Sequence, residues 1–182
     1  AGRADGGFVA GWSSFGQDGS LDAAVARCFA PEGQPGGDDF VVNTATSHHQ
    51  RWADVATTSD GGAVVVWADS SNEGSGYGIY GRRLSAACGT AGDDFPVNVY
   101  TTSNQQWPAV AALPGGGFVV VWESAGQDAY MNGVYARRYG SDGTPATTVD
   151  EMVHTMITQD QDAPDVAALE DGGYVVVWES AA

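Results

Sequence analysis

Four tryptophans, Trp12, Trp67, Trp122 and Trp178, stand 55, 55 and 56 residues apart. Each closes the same run. Gly117-Phe118-Val119-Val120-Val121-Trp122 returns as Gly173 to Trp178, as Gly62 to Trp67 and, eroded, as Gly7 to Trp12. A period of this size means one supersecondary unit copied along the chain. Each copy is too small to bury its apolar faces alone and must stack on its neighbours.

Within the unit, turn residues separate four strand-like segments, read in the second copy as 52–57, 62–68, 77–84 and 94–98. In 62–68, Val64 and Val66 alternate with Val65, so both faces are apolar and the strand needs a layer on each side. Pro96 suits an outer edge, where no ladder bond is lost. With 26 glycines and few leucines, helical repeats are excluded. The expectation is an all-β chain, a β-propeller-type repeat of four-stranded antiparallel blades. It forms a single repeat domain over 1–182: a partial repeat 1–50, full repeats 51–105 and 106–161, and a partial repeat 162–182. That is about three and a quarter blades against the 4–8 or so of closed rings. Further repeats or a second copy are therefore expected to cover the terminal strands.

The surface is acidic. Twenty-three Asp and Glu face seven arginines and no lysine, for a net charge of −16. Such a surface repels nucleic acid and anionic membranes, and no apolar run is long enough for membrane insertion as a helix. Neutral glycans, protein surfaces and cations are the partners that remain.

The segments Gly117–Ser124, Gly126-Gln127-Asp128, Tyr77–Arg83, Phe95–Asn98 and Gln105–Ala111 resemble a repeat of very large secreted bacterial proteins. Such proteins often carry hemolysin-type calcium-binding repeats elsewhere. The resemblance covers nearly the whole chain. It implies a propeller-like repeat that is secreted or at the cell surface, and no particular activity. The calcium nonapeptide itself is absent from the sequence.

In a four-stranded blade, the loops after strands two and four share one face. The two–three loops carry Asp18, Glu73 and Asp128; the four–one loops carry Gln50, Gln105 and Gln161, with Trp52 and Trp107 just beyond. Recurring carboxylates and carboxamides suit sugar hydroxyls, and Asp18, Glu73 and Asp128 suit a hard cation such as calcium. Loop folding alone asks for the same residue types. Arg82 with Asp69, and Arg137 with Glu123, are expected as ion pairs near blade interfaces. Gly76–Gly81 spells GxGxxG but lies in a strand and opens no helix, so it is no dinucleotide site. His48 and His49 with Asp54 form at most a weak acid–base or metal cluster. No HExxH, GxSxG, CxxC or EF-hand pattern is present. Cys28 and Cys88 are not repeat-equivalent, yet could meet across adjacent blades. The expected role is binding or adhesion without catalysis, the alternatives being a structural spacer or a fragment of a propeller glycosidase or lyase.

Overall fold

A computed structural model describes residues 1–71 and 75–181. Its thirteen strands are β1 (Phe8–Phe15), β2 (Asp22–Phe29), β3 (Phe40–Val41), β4 (Gln50–Thr57), β5 (Ala63–Asp69), β6 (Gly78–Leu84), β7 (Thr90–Pro96), β8 (Gln105–Ala112), β9 (Phe118–Ala125), β10 (Asn132–Tyr139), β11 (Glu151–Met152), β12 (Gln161–Ala168) and β13 (Tyr174–Ser180). They form four antiparallel sheets in chain order, β1–β3, β4–β7, β8–β11 and β12–β13, called blades 1 to 4 below. The first strands β4, β8 and β12 stand side by side, and each sheet runs outward from them.

Alternation explains the valine runs. Val64 and Val66 enter a core shared with Phe118, Val120 and Trp122 of blade 3, while Val65 and Trp67 enter a core shared with Val9, Ala24 and Val42 of blade 1. Val119 and Val121 in turn meet Val166 and Val176 of blade 4. One strand thus serves two cores, which a half-polar strand could not do. Asp54 adds a polar tie, accepting hydrogen bonds from Val55 N–H and, across the blade boundary, from Val110 N–H at 2.8 Å.

The glycine pairs have two separate duties. Gly6, Gly61, Gly116 and Gly172 adopt φ between 83° and 99° in the hairpin turns. At Gly7, Gly62 and Gly117, a Cβ would lie 2.3–2.4 Å from the carbonyl oxygen of Phe29, Leu84 or Tyr139 on the neighbouring strand.

Some features follow from the missing neighbours of the terminal sheets, and one expectation changes. Trp67 and Trp122 are fully buried, but Trp178 is 37% exposed, with Val175 and Val177 more open still, because β13 pairs only with β12. The start of β1 is paired within the chain, Ala1 with Val9 and Arg3 with Gly7. The arginines do not pair with Asp69 or Glu123. Arg82 opposes Val65, four residues from Asp69 along β5, which is roughly 13 Å in a strand. Instead Arg82 and Arg137 donate to the carbonyls of Val42 and Val97 in the preceding blade, each at 2.7 Å. Cys28 and Cys88 are joined as a disulfide between blades 1 and 2, with Cα atoms 6.2 Å apart.

Candidate functional site

The loop residues singled out by their repetition are engaged in folding the loops. Asp18 accepts from Ser20 N–H and from the Asn43 amide; Asp128 accepts from Tyr130 N–H and from His154 Nε2 at 3.1 Å. Asn43, Asn98 and His154 are repeat-equivalent, and each accepts a strand N–H, from Ala24, Ile79 and Val134 respectively. Accepting at Nδ1 assigns the proton of His154 to Nε2, facing Asp128. Gln50, Gln105 and Gln161 are buried, and their amides donate to Ser47, Thr102 and Gln159 carbonyls. The structure therefore brings Asp18 to Asn43 and Gln50, and Gln105 to Asn98, while Asp128 and Gln161 sit in separate clusters. Glu73 lies outside the described residues. Among the described residues no three Asp, Glu, His or Cys side chains converge to hold a metal. Asp54 does not join His48 and His49; His49 bonds Asp22 instead.

An open site forms where the first strands begin. The pairings of β4, β8 and β12 each slip by a bulge, and the bulged residues Trp52, Trp107 and Ala163 take φ of 53°, 51° and 49°. Left-handed backbone is uncommon for a bulky residue, and bulges re-aim side chains. Here they set Trp52 against Trp107, ring centroids 4.7 Å apart, with Tyr77 tilted beside Trp52 at 5.3 Å. Trp107 remains 47% exposed. Where blade 4 carries Ala163 in place of a third indole, a cavity of about 280 Å³ opens between Trp52, Trp107, Pro108 and Pro164.

Carboxyls flank this ledge at the junction of blades 3 and 4. Ala163 N–H reaches Glu123 Oε2 at 3.5 Å, and Asn132 donates through its side chain to Asp162 and through its backbone to Asp160. Glu123 is only 7% exposed. Burial, together with the neighbouring charges of Asp162 and Asp160 and a hydrogen-bond contact with Asp162, pushes its carboxyl up to about 7. At the junction of blades 1 and 2, Asp22 Oδ2 meets both His49 Nδ1 at 2.6 Å and Arg51 Nε at 2.5 Å. Burial alone would raise the Asp22 carboxyl, but these two hydrogen bonds hold it below the usual range.

These junction residues are repeat-equivalent: Asp22, Tyr77 and Asn132; Arg51, Gln106 and Asp162; Ser13, Ala68 and Glu123. Sequence reading by shared positions passes over most of them because they differ from copy to copy, and gives Glu123 only a structural ion pair. That divergence, beside two conserved-position tryptophans, is the signal that would have found them.

Comparison with known proteins bears on the fold. No protein-family model and no curated protein matches the sequence. Among solved structures, a thermostable family-43 glycoside hydrolase superposes with a TM-score of 0.60 at 13% identity, covering 99% of this chain and 64% of that one. An α-L-arabinanase of Penicillium chrysogenum, complexed with arabinobiose, gives 0.57 at 15% identity, covering 93% and 52%. The chain thus spans between half and two thirds of those proteins. At such identities the likeness establishes an all-β propeller architecture. It also overturns the expectation of a module without catalysis, since both neighbours are glycoside hydrolases.

Proposed function

We propose that the chain belongs to a propeller glycoside hydrolase and carries part of its sugar-facing surface. The observation that supports this most is Glu123. It is a buried carboxyl that keeps its proton up to about pH 7, and it lies beside a cavity walled by two tryptophans. Glycosidic bonds break when a carboxylic acid protonates the departing oxygen, which requires an acid still protonated near neutrality. Indole faces such as Trp107 give a sugar ring an apolar platform, while Asn132, Asp160 and Asp162 offer partners to its hydroxyls. Asp162 touches Glu123, closer than the ~5 Å that separates an acid from a nucleophile across a glycosidic bond. Its part is to hold the proton on Glu123. The disulfide between blades supports an oxidising, secreted or cell-surface location.

The test is release of new reducing ends from a panel of oligosaccharides, including arabino-oligosaccharides, by the native chain and by Glu123→Gln and Trp107→Ala variants. Activity is expected below pH 7, falling above it as Glu123 ionises. Glu123→Gln should lower kcat by about 10²–10⁴, the usual worth of a positioned acid. Full activity in Glu123→Gln, or neither cleavage nor binding of any glycan, would sink the reading.

A further inference from the structure

The three junctions along the tryptophan ledge differ in chemistry at one repeated pair of positions. Arg51 bonds Asp22 between blades 1 and 2, and Asn132 bonds Asp162 between blades 3 and 4; at the equivalent positions of blades 2 and 3 stand Tyr77 and Gln106. One end of the ledge is therefore carboxylate-rich, the middle uncharged, and the other end carries a guanidinium. In this very acidic chain that guanidinium is distinctive. The other six arginines all bond backbone carbonyls away from the ledge.

Arg51 is held at Nε and remains partly exposed. Its Nε bonds Asp22, whose same oxygen is also bonded by His49, and the Tyr77 hydroxyl takes a further contact. The side chain is still 41% exposed. It lines a hollow of about 460 Å³ together with Trp12, Ser13, Asp22 and Trp52. A guanidinium has five N–H donors in a rigid plane, so fixing it through Nε leaves directed donors for a second oxyanion. The Arg51–Asp22 pair is formally neutral, unlike the acidic junction at the far end, so an anion meets no net repulsion in the hollow itself.

We propose that this hollow seats a carboxylate-bearing sugar, a uronate, with its ring against Trp52 and its carboxylate on the Arg51 tip. The proposal rests on the glycoside-hydrolase reading and specifies the glycan: acidic at the Arg51 end, hydroxyl-rich at the Glu123 end. A planar carboxylate matches the guanidinium fork, whereas a hydroxymethyl group in its place offers one neutral acceptor.

Titration calorimetry on the 182-residue chain would compare three probes: a galacturonate oligosaccharide, its carboxyl-reduced form, and a neutral arabino-oligosaccharide. The carboxylated probe should bind about tenfold to a hundredfold more tightly than its reduced form, as expected for a charge-assisted bond. The preference should vanish in an Asp22→Asn/Arg51→Gln double variant, which replaces the ion pair with an uncharged pair, as at the equivalent positions of blades 2 and 3. If that variant misfolds, Arg51→Lys serves instead; it keeps the charge, loses the fork, and should lose most of the preference. Equal binding of carboxylated and reduced probes, or a preference that survives in the variants, overturns the uronate seat while the glycan reading stands. Failure of all three probes to bind overturns both.

Discussion

Replacing Glu123 by glutamine keeps the shape of the side chain and removes its titration. The native carboxyl loses its proton near pH 7 when folded and, in an unfolded chain, near its ordinary value of 4.5. Between those values the folded state holds the extra proton, so stability falls as pH rises through the window and the penalty is complete above pH 7. The shift corresponds to about 3 kcal/mol at 1.36 kcal/mol per unit. Glutamine at this position pays no such penalty. Relative to the native chain, Glu123→Gln should therefore gain about 3 kcal/mol more stability at pH 8 than at pH 4. Urea unfolding of both proteins at the two pH values measures this as a difference of differences, in which titrations common to both chains cancel. A difference under about 1 kcal/mol would mean that Glu123 ionises like an exposed carboxyl. The proton-donor argument would then fail with it.

Trp122→Ala should cost about 3–5 kcal/mol in the same assay, whereas Trp178→Ala, at a half-open strand, should cost less than half as much. Equal losses would mean that β13 is covered in solution. Reducing the Cys28–Cys88 bond, which closes a loop of 60 residues, should cost about 4 kcal/mol and lower Tm by roughly 8–16 °C. An unchanged Tm with both thiols shown to be free would refute this.

The blade was legible because its core residues obey the repeat. Trp67 and Trp122, and the valines before them, must each face a neighbouring blade, so selection by packing leaves the same letters in each copy. The outer strand was less legible. Segment 94–98 was expected, but β7 runs Thr90–Pro96, because Val97 turns into the core and Asn98 bonds back to Ile79 N–H. The candidate site was largely hidden for the converse reason. Glu123 and Asp162 meet only when successive blades stack, and Ala68 and Gln106 hold their places one blade earlier. Repetition drew attention to Gln50, Gln105 and Gln161, whose sameness reflects a shared folding duty. Trp52 and Trp107 were visible beside those glutamines, but not the bulges that aim them.

The buried glutamines also bear on how such a protein could be re-engineered. Each closes its loop from beneath: Gln50 and Gln105 reach carbonyls three residues back, and Gln161 reaches one two residues back. Gln50 and Gln105 also accept from Asn43 and Asn98, so the base of each loop is anchored to the outer edge of the preceding blade. The span between anchors works like a cartridge. Its tip residues can be randomised while strand register, set below the clasp, stays put. A library confined to 45–48 and 101–103 would sample new rims around the tryptophan ledge at little expense to folding, provided that the two glutamines and their asparagines, with His49, Tyr100 and Asn104, are left alone.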